Sequence, residues 1–188
     1  MVPTERPAFC SRRLRAEPVV RRHAVAMARV LADPMSYQFL PDDPPSQQYL
    51  EQQYEYLSGG RSPDGAQVWL TWILLLQDVS ADPIGFLQAT ISEPDTVHIA
   101  YLLNPVHWRQ GYAREAVAAM LDVVFADYRV DRAIAEIDTR NAASISLVQA
   151  LGFVCIERLH DVAQFKGGNS DEYLYAMERS AWQQPRIA

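Results

Sequence analysis

The chain predicts an α/β fold: a mixed sheet with helices on both faces. Two patterns lead there. Apolar residues recur at helical spacing from Val20 to Leu57, a run of strand-like segments follows to residue 103, and after Asn104-Pro105 helix and strand alternate to the end. With 188 residues, 49% apolar and 21% charged, the chain is one domain, 1–188, with a single continuous core, and wholesale disorder is excluded.

Ser11-Arg12-Arg13-Leu14 is the expected first strand. From Pro18, Val20, Ala24, Met27, Ala28 and Leu31 keep a helical stripe that Asp33-Pro34 closes. PDDPPS is a turn with Ser46 as N-cap, and Leu50, Tyr54 and Leu57 stripe the next helix, which stops at Ser58-Gly59-Gly60. Residues 67–77, rich in Val, Trp, Ile and Leu, read as a buried strand, and 84–92 with 96–103 as a hairpin. Val117, Met120, Leu121, Val124, Phe125 and Tyr128 mark the clearest amphipathic helix. Residues 133–138 alternate as a strand. Asn141 caps a short helix that Gly152 ends in a left-handed conformation. Residues 153–158 and 172–177 complete the strands, the last with Tyr173, Tyr175 and Met177 on one face.

Val68–Leu76, the longest apolar run, falls far short of the roughly 20 residues a membrane span needs. The N-terminus has no apolar signal core, so a cytoplasmic location without a membrane partner is expected. Cys10 and Cys155 make no metal-ligand spacing; no metal is expected, and both read as lone structural thiols, Cys155 buried on its strand. Trp69, Trp72, Tyr54 and Tyr56 divide between core and substrate groove. The net charge of −6 is uneven: seven arginines crowd the first thirty residues, and ten acids face only Arg61 between Asp33 and Asp95. Only the N-terminal arginines could supply a nucleic-acid surface, whereas the acidic middle favours a cationic partner.

The most informative stretch is YLLNPVHWRQGYARE, residues 101–115. A strand ends, proline interrupts pairing, and Gly111 and Ala113 open the long helix. Unpaired N–H groups at a helix start, small residues that let an anion approach, and Arg109 and Arg114 at the rim predict a phosphate or pyrophosphate on residues 109–114. Neither the triphosphate loop GxxxxGK[ST] nor the dinucleotide fingerprint GxGxxG is present.

Trp108-Arg109-Gln110-Gly111-Tyr112-Ala113-Arg114-Glu115-Ala116 resembles the pyrophosphate motif of the GNAT acetyltransferases in its RimJ/RimL-like (ribosomal-protein N-acetyltransferase) variant, with tryptophan at the first position. Asn141-Ala142-Ala143-Ser144 with Leu151-Gly152-Phe153 matches that group's N-x-x-S-x(6)-L-G-F, and Phe165-Lys166-Gly167, Asp171-Glu172-Tyr173 and Trp182 resemble its closing strands. The resemblance runs from about Gly85 to Trp182. It implies a mostly antiparallel sheet in which strands 96–103 and 133–138 splay apart to hold acetyl-CoA as co-substrate. Leu102 and Leu103 would meet pantetheine, one N–H would polarise the thioester carbonyl, Trp108 to Arg114 would hold the pyrophosphate, and Asn141 and Ser144 would lie near the sulfur end.

The resemblance also implies N-acetyl transfer by direct attack of a primary amine: a protein N-terminus, an aminoacyl group or a small cationic amine. The general-acid tyrosine many relatives carry seven residues after the asparagine is Val148 here, leaving Ser144 as the substitute or as a capping hydroxyl only. His98 replaces a glutamate as the candidate base, with Glu93, Asp95 and Asp171 as rivals. His107 packs or faces solvent. Two other functions stay open: an acyl-CoA sensor without turnover, and a toxin-like acetyltransferase of aminoacyl-tRNA. A monomer or homodimer is expected.

Overall fold

The computed structural model describes residues 6–77, 82–93, 95–165 and 167–182. Lys166 and the side chains of Glu93 and Phe165 lie outside the described set. Eight strands form one sheet in the order β1-β2-β3-β4-β5-β6-β8-β7: β1 Phe9–Cys10, β2 Leu14–Pro18, β3 Val68–Leu76, β4 Pro83–Glu93, β5 Thr96–Leu103, β6 Arg132–Asp138, β7 Val154–Phe165 and β8 Gly168–Glu178. Every neighbouring pair is antiparallel except β5 with β6. The four α-helices are α1 Ala24–Val30, α2 Gln47–Leu57, α3 Tyr112–Asp127 and α4 Ala142–Ala150.

β3 reads as a continuous apolar run because both of its faces are covered. Leu70, Trp72 and Leu74 join the core under α3, built from Val117, Met120, Leu121 and Val124. Ile73 and Leu75 turn the other way, onto Met27 and Val30 of α1 and Leu50 and Tyr54 of α2. Ser46 caps α2 by accepting from the Tyr49 N–H at 3.2 Å, a contact worth about 1 kcal/mol. Tyr173, Tyr175 and Met177 share the α3 core as their alternation requires. Trp182 is pinned to α3 by its indole, which donates to Asp122 Oδ1 at 2.8 Å.

Two expectations are corrected. Ser11-Arg12-Arg13 is a turn between β1 and β2, not a strand: Ser11 N donates to the Leu14 carbonyl at 2.8 Å and the Ser11 hydroxyl accepts from Leu14 N. Cys155 is exposed, as is Cys10, because β7 forms the sheet edge and α3 and α4 do not cover this side chain. The aromatic residues separate: Trp72 is fully buried, Tyr54 is buried under α2, and Tyr56 packs on Trp69 outside the core, ring centroids 5.1 Å apart. No described helix is long and apolar enough to cross a membrane.

Candidate functional site

β5 and β6 pair over three positions only, Thr96 with Arg132, Val97 with Ala133 and His98 with Ile134. Beyond His98 they separate, while β4 stays paired to β5 as far as Leu103. The free edge of β5 therefore opens on a cleft of about 440 Å³. All of the residues expected to hold the co-substrate line it except Gln110, whose side chain turns back to donate to the Val106 carbonyl at 3.1 Å. Gly85 lets β4 approach this end of β5 closely, since a Cβ there would stand 2.2 Å from the Leu102 carbonyl oxygen.

The loop from β5 to α3 is shaped for an anion. Arg109 and Gly111 both adopt left-handed conformations, φ 62° and 79°, the first at a cost of about 1–2 kcal/mol for a residue with a Cβ. The first intrahelical bond is Glu115 N to the Gly111 carbonyl, 3.1 Å. The N–H groups of Tyr112, Ala113 and Arg114 precede it and point out of the helix start with its positive dipole end. Arg109 and Arg114 are exposed beside them. The Trp108 indole donates to the Leu103 carbonyl at 2.8 Å. One lone pair of that carbonyl is thereby committed within the protein, which reduces the part Leu103 was expected to play. His107 stands edge-on to Tyr112, centroids 6.2 Å apart.

The loop is braced from the N-terminal turn, which the sequence did not announce. Arg13 Nε donates to Glu115 Oε2 at 2.7 Å, its main-chain N–H and the Ser11 hydroxyl both donate to Oε1 at 2.7 Å, and its Nη1 donates to the Gln110 carbonyl at 3.0 Å. The guanidinium also lies 4.4 Å over the Tyr112 ring. Glu115 is 2% exposed; burial raises its carboxyl, but these donors outweigh it and hold the group below the usual range.

Three buried side-chain polar atoms among the described residues have no hydrogen-bond partner, and each lies on a cavity. Ser36 and Tyr101 present theirs to the β5 cleft. Thr71 presents its hydroxyl to a second cavity of about 460 Å³ between the sheet and the α1–α2 layer. The cavities share Leu40 and Leu102 as a common wall. Burial pushes the Tyr101 phenol up to about 12, and Ser144 lies near enough to act against that without closing a hydrogen bond. Ser144 sits at the start of α4, its N–H capped by the Asn141 carboxamide at 3.1 Å. Val148 is wholly buried in the core.

His98 lines neither cavity. Its Nδ1 meets Glu136 Oε1 at 2.9 Å across the last paired position of β5 and β6. Glu172, facing the same side from β8, is raised by burial and by the carboxylates of Glu136 and Asp138. Asp171 is committed to Arg158 at 2.8 Å and to the Asp161 N–H at 3.1 Å. Asp95 supplies its carbonyl to Asp131 N and Arg132 N. Ser36 and Tyr101 line the cleft although nothing in the sequence reading singled them out, and Glu172 lines neither cavity. For Tyr101 strand alternation carried the signal; for Ser36 nothing local did.

A sheet that splits between two parallel strands, with the N–H groups of a helix start at its mouth, defines the class. The profile of the acetyltransferase (GNAT) domain family matches residues 13–154, and the chain belongs to that family. N-acetyltransferase p20 of Bacillus licheniformis, itself uncharacterized, is 32% identical over 85 residues, 45% of this chain and 48% of that protein. The chain thus spans about half the length of the curated relatives it matches. A GNAT-family acetyltransferase from Bacillus anthracis superposes with a TM-score of 0.81 at 18% identity, over 93% of this chain and 99% of that one. Spermidine N-acetyltransferase from Vibrio cholerae, solved with CoA and spermine, gives 0.76 at 16% identity, over 90% and 97%. Likeness at these identities establishes the fold.

Proposed function

We propose that the chain is an acetyl-CoA-dependent N-acetyltransferase of the ribosomal-protein N-acetyltransferase-like group, acting on a primary amine. The observation that carries this reading is the free edge of β5 running from the split at His98 to the uncapped N–H groups of α3. The residues fit acetyl-CoA: Tyr112, Ala113 and Arg114 would hold the pyrophosphate through main-chain N–H groups, Arg109 and Arg114 would add charge, and the β5 edge would pair with the pantetheine amides. Acetyl-CoA supplies the activated acyl group. The chain's own residues do the rest. Main-chain N–H groups on the edge polarise the carbonyl, and Ser144, with Tyr101 beside it, supplies a proton to the departing sulfur. His98, oriented by Glu136, takes the proton of the acceptor ammonium through water. Arg6, Arg13, Arg15 and Arg21 are already engaged within the fold, which reduces the N-terminal charge open to RNA and favours a small-molecule or peptide acceptor.

Calorimetry with acetyl-CoA on wild type and Gly111→Glu tests the reading. Wild type should bind and the variant should not, because the new carboxylate stands where the pyrophosphate sits. No binding by folded wild-type protein overturns it. Binding without thiol release across a broad amine panel leaves a sensor instead of an enzyme.

A further inference from the structure

Resting on the acetyltransferase reading, we propose that the cavity between the sheet and the α1–α2 layer is the acceptor site, and that it takes a compact, carboxylate-free diamine: a primary amine carrying a second cationic nitrogen across an apolar spacer. Four observations lead there. The cavity meets the co-substrate cleft through Leu102 and Leu40, so a molecule filling it lies against the acyl group's path. Its walls are largely apolar and aromatic, with Tyr37, Tyr54, Leu50 and Phe86 among them, and among the described residues no lysine, arginine or histidine lines it. A free carboxylate or phosphate would enter without a counter-charge. Apart from Gln53 and the tyrosine hydroxyls, polar side chains gather in two places.

One is the floor. Thr71 and Gln88 are cross-strand partners on β3 and β4, and Ala100 of β5 stands opposite Gln88 in the same row. Thr71 is 2% exposed and its hydroxyl has no partner. A threonine in a buried strand is tolerated in this way when a ligand completes its hydrogen bonding. An amine nitrogen does so, donating to Thr71 Oγ1 and to the Gln88 carboxamide. The row abuts β5 where that strand has left β6, which places the reacting nitrogen at this end.

The other is the rim. Asp42 and Asp43 line the cavity, are exposed, and form no ion pair with any described residue, whereas Glu51 is paired with Arg21 at 3.2 Å. Two free carboxylates at the mouth of an apolar cavity suit a cation at the far end of the acceptor. The spacer lies along the aromatic walls.

The test is thiol release from acetyl-CoA with four acceptors: a linear alkyl diamine, the monoamine of equal length, a free amino acid and a short peptide with a free N-terminus. Acetyl-CoA affinity is measured in parallel by calorimetry. The diamine should exceed the monoamine at least tenfold in kcat/KM. The Asp42→Asn/Asp43→Asn double variant should erase that preference while acetyl-CoA affinity is unchanged. Thr71→Val should raise both Tm and the diamine KM; a hydroxyl without a ligand role would raise Tm alone. Equal rates for diamine and monoamine, or faster turnover of the amino acid or peptide, each overturn the acceptor assignment and leave the parent reading standing, whereas tight acetyl-CoA binding without release from any acceptor fails the enzyme reading itself. Failure to bind acetyl-CoA would sink the parent reading instead.

Discussion

Arg13 Nε stands 2.7 Å from Glu115 Oε2, joining the turn between β1 and β2 to the first turn of α3. The placement is electrostatically awkward: a buried carboxylate sits at the helix start proposed to hold a pyrophosphate. Arg13 resolves it by neutralising Glu115 while its other nitrogen fixes the Gln110 carbonyl. Arg13 lines neither cavity, so it acts on the loop as a positioning residue.

Arg13→Ala should lower stability by about 2–3 kcal/mol, since it strands a buried carboxylate. It should also weaken acetyl-CoA binding at least tenfold. Adding Glu115→Gln should restore most of the stability. Thermal melts and calorimetry on the single and double variants check both; equal melting of Arg13→Ala and wild type would refute the brace.

Gly111→Ala isolates backbone strain from charge. At φ 79° an alanine costs about 1–2 kcal/mol, and its Cβ would meet Arg13 Nη2 at 3.4 Å. The expected outcome is a modest loss of Tm with acetyl-CoA binding weakened but measurable, in contrast to the abolished binding of Gly111→Glu.

Tyr101→Phe and Ser144→Ala should each reduce kcat by about 10–100-fold with little change in acetyl-CoA Kd. Because the two hydroxyls serve one proton path, the double variant should lose little beyond the worse single. With its phenol pushed up to about 12, Tyr101 stays protonated at working pH. Multiplicative losses in the double variant would separate their roles.

His98→Gln should lower kcat/KM near pH 7 by about tenfold without affecting acetyl-CoA affinity, and an unchanged kcat/KM would remove His98 as the base.

Asp138 accepts from Arg140 Nη2 at 2.5 Å and from the Ser170 hydroxyl at 2.8 Å, and its carbonyl accepts from Asn141 N, so it sets the approach to α4. Hydrogen bonding from Arg140, opposed by burial, lowers its carboxyl from 3.8 to about 2. A folded-state value below the unfolded one contributes stability that is complete above about pH 4 and lost as pH falls through about 2. The Tm difference between wild type and Asp138→Asn should therefore be constant from pH 7 to 5 and shrink below pH 4. A difference unchanged at pH 2.5 would remove Asp138 as the cause.

The sequence by itself determined the elements whose causes are local: the Ser46 and Asn141 caps, the left-handed Gly152, the amphipathic α3, the alternating β8, and the loop in which Gly111 opens α3. It did not determine what depends on distant partners. Ser11 to Arg13 form a turn because a buried carboxylate more than a hundred residues away collects their donors. Cys155 is exposed because β8, not β7, pairs with β6 and leaves β7 at the edge. The Trp108 indole binds the Leu103 carbonyl, and the acidic middle of the chain divides into Glu51, paired with Arg21, and Asp42 and Asp43, which form no ion pair with a described residue. Capping, periodicity and backbone handedness act within a turn or two and are written in adjacent residues. Hydrogen-bond satisfaction, edge exposure and cavity shape depend on which segments meet, and only the assembled sheet decides that.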